Sequence, residues 1–174
     1  SGMSLEPKDY QGNNIGQLNW LRNEGFIQSV WKDKFAIGGG LRHDYFELKP
    51  TSMYSKMSHN YFNPYIFLKS DTQDDANFPT KGVYLNAEGV LIDIFNTKVE
   101  DKAVQAKAKF NRNIPLSKKI TYRINLFGGF TVGTQLDNYY WYRLGGIFNQ
   151  NIGNYTQFPG YEFGQLPSKN LLIA

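Results

Sequence analysis

Residues 103–134 read AVQAKAKFNRNIPLSKKITYRINLFGGFTVGT, and the period of this stretch decides the fold. Over 103–113, Val104, Ala106, Ala108 and Phe110 alternate with Gln105, Lys107, Lys109 and Asn111. Over 119–134, Ile120, Tyr122, Ile124, Leu126, Phe130 and Val132 fall on one side, with Thr121, Arg123, Asn125 and Thr131 on the other. A period of two belongs to β-strands, whose successive side chains point to opposite faces. The short link Ile114-Pro-Leu-Ser-Lys118 turns the pair into a hairpin.

The same pattern extends toward the N-terminus. In KFAIGGGLRHDYFEL (34–48), Phe35, Ile37, Gly39 and Leu41 face one way and Ala36, Gly38, Gly40, Arg42 and Asp44 the other. The segment before it, 18–31, is less regular and is joined by only Lys32-Asp33, which implies a tight hairpin. Two more strands are predicted over 60–69 and 82–95. In the second, Ile92 and Ile94 fall out of phase with Val83, Leu85 and Leu91, and a bulge would restore the register. The links near 32–33, 70–81 and 114–118 are compact or marked by Pro, whereas 49–58, 96–102 and 135–168 are longer or more polar. Alternation of two kinds of link is what an up-and-down barrel produces at its two ends.

Composition narrows the class. Aromatic residues make up 16% of the 174 residues, with 12 Tyr, 13 Phe and 17 Gly, an unusual mixture for a helical or α/β domain. No run of about 18 apolar residues exists for a transmembrane helix, but membrane strands leave none because their residues alternate. There is no cysteine, which removes disulfide and thiolate-metal readings. The net charge of +4 comes from scattered basic residues, so no nucleic-acid partner is expected. The opening Ser-Gly-Met-Ser (1–4) reads as a cloning scar, leaving 5–174 as one domain without a composition shift.

Two stretches carry more than periodicity. In SDTQDDANFPTKGV, from residue 70, Asp side chains suit hydrogen bonds to their own backbone, Pro79 fixes φ and Gly82 allows a sharp strand entry. Asp71, Asp74, Asp75, Phe78, Pro79, Thr80 and Gly82 together resemble the Asp-rich, Phe-Pro-Thr-Arg/Lys-Gly turn of the bacterial surface antigen barrel, shared by outer-membrane protein insertases and two-partner secretion transporters. Further on, Tyr142-Arg143-Leu144-Gly145-Gly146, followed by Phe158-Pro159-Gly160-Tyr161 and Gly164, resembles that family's long extracellular loop. The order of the two motifs agrees with the family, and the resemblance spans roughly 15–174. The loop and the Leu-Ser-Lys-Lys hairpin are most similar to barrels at the C-terminus of patatin-like phospholipases of Bacteroidetes-type bacteria.

The resemblance implies an all-β fold: an antiparallel up-and-down transmembrane β-barrel, here a fragment of about seven strands from a barrel of about sixteen. It implies a bacterial outer-membrane location, outer-membrane lipid as partner, and an upstream domain of the same polypeptide that the barrel would anchor. Open sheet edges would give such a fragment a route to oligomers. The alternative within the family is a protein insertase or secretion transporter barrel, against which Pro159 argues, since it stands where the family usually has an arginine.

No catalytic constellation is present: no serine stands in a Gly-x-Ser-x-Gly turn, so any lipid acyl hydrolase would lie upstream. His43 and His59 lack the carboxylate pattern of a zinc site. The Asp cluster lacks the glycine and terminal glutamate of a calcium loop, and Gly38-Gly39-Gly40 is not followed by Lys-Ser/Thr. No cofactor or metal is expected. Tyr61, Tyr65, Tyr139, Tyr140, Trp141 and Tyr142 are read as an aromatic girdle at the membrane interface, and Glu88, Arg42, Arg123, Lys107 and Lys109 as lumen-facing charges. The competing reading is a soluble β-barrel that binds a small apolar ligand, with its charges outside.

Overall fold

The computed structural model describes residues 2–5, 16–50, 57–93, 95, 102–133, 140–145, 154–156 and 166–174. Among these described residues there are eleven strands: β1 Gly2–Leu5, β2 Gly16–Trp31, β3 Phe35–Pro50, β4 Met57–Asp71, β5 Gly82–Ile92, β6 Ala103–Ser117, β7 Ile120–Val132, β8 Tyr142–Leu144, β9 Tyr155–Thr156, β10 Leu166–Ser168 and β11 Leu171–Ile173. Eight of them make one sheet in the order β1-β2-β3-β4-β5-β6-β7-β11, and β10-β8-β9 make a second, small one. Every pairing in the large sheet is antiparallel. From β2 to β7 the order in space is the order in the chain, so each hairpin extends the sheet by one strand.

These strands form because alternation persists for their whole length. Strands β2, β3, β4 and β6 run 15 or 16 residues, longer than the roughly 9–11 needed to cross a membrane with tilt. Three turns join them at one end. Lys32 and Asp33 both adopt positive φ (51° and 54°), the left-handed pair that a tight hairpin demands, and Lys34 N–H closes the turn on the Trp31 carbonyl at 3.1 Å. Lys118 and Lys119 alone separate β6 from β7. The turn between β4 and β5 is the Asp-rich one.

Two local expectations are corrected. The segment 114–117 is strand rather than link: β6 continues to Ser117, with its register shifting between Pro115 and Ser117, where proline has no N–H to give the ladder. No bulge occurs in β5, which pairs without interruption from Gly82 to Ile92; Ile92 is out of phase because it lies on the opposite face, fully buried beside Val90 and Ala103. Ile94 lies outside the described residues. Gly2–Leu5 pairs with Leu18–Leu21.

The two faces of the sheet differ in a way that inverts a water-soluble protein. One face carries Trp20, Arg22, Arg42, Asp44, Phe46, Tyr61, Asn63, Tyr65, Phe67, Glu88, Gln105 and Lys107, and segments 140–145 and 154–156 lie against it. Asp44 and Asn63 are 0% exposed. The other face carries Leu21, Ile27, Ile37, Phe62, Ile66, Val104, Leu126, Phe130 and Leu172, with Ile27 83% and Ile66 70% exposed. Aliphatic side chains open to the surroundings and charges covered within are the arrangement of a sheet whose outer solvent is hydrocarbon.

Candidate functional site

The covered face gathers into three connected layers. The first centres on Asp44, whose Oδ1 accepts Trp20 Nε1–H at 3.0 Å and Arg22 Nε–H at 2.6 Å. Its Oδ2 accepts from Arg22 at 3.2 Å, Asn63 Nδ2 at 3.0 Å and the Tyr140 hydroxyl at 3.3 Å. Asn63 also donates to the Tyr140 oxygen at 2.8 Å and accepts the Asp93 N–H at 3.0 Å. A buried carboxylate needs such a set, because an unpaired charge out of water is strongly destabilising. The Arg22 guanidinium lies 4.4 Å from the Trp20 ring centre, and Trp20 stacks on Phe46.

Below it lies an ion chain. Arg42 makes a two-pronged contact to Glu88 at 3.1 and 3.0 Å and reaches Glu24 at 3.1 Å. Lys107 adds a second cation, 3.2 Å from Glu88. The Tyr65 hydroxyl donates to Glu24 at 3.2 Å while its ring lies under Arg42. The fork of an arginine matches a carboxylate in both position and direction, so this chain ties β2, β3, β5 and β6 together across the intervening β4. Glycines on this face give room: a Cβ at Gly40 would run into the Gly25 carbonyl and Phe26, and one at Gly38 would meet Phe67.

The third layer holds residues 140–145 and Asn154. Gln105 donates to the Tyr140 carbonyl at 2.8 Å, and Asn154 bonds both that carbonyl and the Gln105 side chain. Tyr142 is fully buried and donates to the Ala106 carbonyl at 2.8 Å. Its ring occupies the space that a Cβ at Gly129 would fill. Tyr140 packs edge-on against Phe46 and Tyr61 at 5.6 and 5.4 Å. Chemically the arrangement holds a connecting segment in place; among the described residues no group of three or more His, Cys, Asp or Glu is placed to bind a metal.

The turn-motif residues come together at the far end. Asp74 accepts Thr80 N–H at 2.9 Å, the Thr80 hydroxyl at 2.6 Å and Lys81 N–H at 3.1 Å. Asp75 accepts Asn77 and Phe78 N–H at 2.7 and 2.8 Å, and Asp71 accepts Gln73 N–H at 3.0 Å. Bonding to the charged form lowers an acid's pKa. The Thr80 hydroxyl first, then the Lys81 N–H, hold Asp74 at about 2, and the Phe78 and Asn77 N–H groups lower Asp75. Gly82 has φ +104°, and a Cβ there would collide with the Thr72 carbonyl. Phe78 is exposed and Pro79 half-buried.

Of the loop-motif residues, Arg143 lies in β8, with its N–H on the Asn154 carbonyl at 3.0 Å, and Gly145 follows with φ +130°. Gly146, Pro159, Gly160, Tyr161 and Gly164 lie outside the described residues, as does Tyr139. The aromatic girdle is placed differently from expectation. Tyr61, Tyr65, Tyr140 and Tyr142 are buried on the covered face, and Trp141 packs against the same cluster. The exposed aromatics near the short turns are Trp31, Phe35 and Tyr122, with Trp31 and Phe35 in contact at 5.3 Å. Alternation assigned Glu88, Arg42, Arg123, Lys107 and Lys109 to one face, where the strand phase puts them. The Asp44–Asn63–Tyr140 assembly gave no motif; its trace was the polar phase of β3.

The profile of the OMP85 superfamily matches residues 5–174. Comparison with curated proteins gives no match.

Proposed function

Because the chain belongs to the OMP85 superfamily, whose barrels are bacterial outer-membrane proteins, we propose that it forms part of an outer-membrane barrel that anchors an upstream domain of the same polypeptide, a patatin-like lipase by resemblance. The observation that carries the membrane reading is the inversion of faces: exposed Ile27, Ile66 and Leu172 outside, buried Asp44, Asn63 and Arg42 within. From β2 to β7 each strand pairs backbone to backbone with its neighbours in the chain, the kind of satisfaction that a hydrocarbon solvent requires. The work is physical: the wall holds position in lipid, and the covered face provides the lining of a passage in which residues 140–145 and 154–156 lie.

A second reading keeps the barrel and makes it an insertase or secretion transporter. Superfamily membership accommodates it, but Pro159 takes the place of the arginine that the family's loop carries. A soluble ligand-binding barrel needs an apolar interior, and the covered face here is charged. The test is gel mobility of the natural polypeptide refolded in detergent, with and without boiling. A heat-dependent shift supports the membrane barrel; a monodisperse protein that needs no detergent and shows no shift overturns it. Acyl-ester hydrolysis that survives deletion of everything but this domain would overturn the anchor role.

A further inference from the structure

The open face of the sheet carries a trough of about 940 Å³. Its floor is Ala87 and Gly89 of β5, Ala106 and Ala108 of β6, and Gly128 of β7; Ile66 stands on one side, Phe130 and Leu172 on the other. Register makes it two residues deep along the strands: Ile66, Gly89, Ala106 and Phe130 form one row, and Ala87, Ala108, Gly128 and Leu172 the next.

The small residues of the floor have no internal cause. On the covered face, a Cβ at Gly38, Gly40 or Gly129 would strike neighbouring side chains or backbone. At Gly89 the nearest atom to an added Cβ is Ile66 Cγ1 at 3.6 Å, and at Gly128 it is Leu172 Cδ1 at 3.6 Å, both ordinary contacts. Larger residues would fit and would fill the trough.

One charge lies on this face above the trough. Arg112 is on the same side of β6 as Ala108, four residues nearer the turn, or about 13 Å along the strand. It is exposed, its cross-strand neighbours are Val83 and Ile124, and it has no ion-pair partner among the described residues. Tyr122, paired with Ile114 one row further, and the Lys118–Lys119 turn mark the membrane interface at that end. Short turns lie on the periplasmic side of bacterial barrels. The separation of about 13 Å fits within one leaflet, half of a hydrocarbon core about 30 Å thick.

We propose that this face binds one anionic glycerophospholipid, its phosphate on Arg112 and an acyl chain in the trough. An anionic group for Arg112 at one end and an apolar channel about 13 Å away at the other match the two parts of this occupant. The inference rests on the membrane reading above.

The test is native mass spectrometry of the natural polypeptide released from nanodiscs of equal phosphatidylcholine and phosphatidylglycerol, with heat-shift gels run on the same samples. The wild type should retain one lipid, with phosphatidylglycerol favoured about fivefold, the effect of one basic group at a membrane surface. Arg112→Ala should bring the ratio to about one while a lipid is still retained, a change that follows from losing that surface charge. Gly89→Leu should lose the retained lipid, and Ala108→Leu blocks the trough from the adjacent strand should Gly89→Leu fail to refold. Retention at the bulk ratio, equal in wild type and variants that all show the heat shift, overturns the site and leaves the barrel standing. Absence of a heat shift in the wild type overturns both.

Discussion

The Asp-rich turn and the 140–145 segment both connect strands, and they are held by opposite means. In the turn, Asp71, Asp74 and Asp75 bond to N–H groups two to seven residues away. In the other segment, Tyr140 bonds to Asp44 and Asn63, 96 and 77 residues earlier, and Tyr142 to Ala106. One structure is written in its own sequence; the other exists only where the sheet brings a seat to it. Local bonds fix a shape, and remote bonds fix a place.

The largest way to break this contrast is Asp44→Ala. It removes the carboxylate that faces the Arg22 charge and takes one acceptor each from Trp20, Asn63 and Tyr140, so a loss of about 3–5 kcal/mol is expected in urea unfolding from detergent. Amide exchange at Tyr140–Gly145 should rise while the 72–81 turn keeps its protection. Equal protection of Tyr140–Gly145 in the variant would show that the seat does not depend on Asp44.

Gly129→Ala acts from the wall side. Its new methyl overlaps the Tyr142 ring, and overpacking of this kind costs about 1–3 kcal/mol. Limited proteolysis should then cut near residue 145 faster than in the wild type, with the strands intact. Tyr142→Phe sharpens the comparison further. It removes the hydroxyl that donates to the Ala106 carbonyl at 2.8 Å and, more weakly, to the Phe130 carbonyl at 3.5 Å, with an expected loss of about 0.5–1.5 kcal/mol in the same urea titration.

The smallest effect belongs to the turn and is read by pH. Because the folded pKa of Asp74 is depressed to about 2, its contribution is present above the unfolded value near 3.8 and is lost as pH falls through about 2. The amide resonances of Thr80 and Lys81 should move with a midpoint near that value, and Asp74→Asn should abolish the movement while lowering the urea midpoint by less than Tyr142→Phe does. A larger fall in Asp74→Asn than in Tyr142→Phe would contradict a purely local role.

Legibility followed the same division. Strands β3, β6 and β7 were readable because alternation is a property of neighbouring residues, and the turn motif because its partners are adjacent. Ile92 misled because an apolar residue on the covered face looks like a break in phase when only the other face is expected to be apolar. The tyrosines misled for a related reason: composition marks aromatic residues as interfacial but carries no face, and Tyr61 and Tyr65 sit in the odd phase of β4 with Asn63 and Phe67. Nothing in residues 140–145 names Asp44 as their partner. That pairing depends on a sheet wide enough to bring β3 opposite the segment after β7.

The seat of Tyr140 and Tyr142 is built from Asp44, Asn63, Gln105, Ala106 and Gly129, all of which precede them in the chain. During stepwise assembly each hairpin from β2 to β7 adds to a growing edge through contacts between chain neighbours, the fast kind of contact to form. The receptor surface is therefore complete before its occupant enters. An assembly that proceeds from the N-terminal side lodges the segment as soon as β7 is in place, whereas one that begins from later strands has to thread it into a wall not yet made.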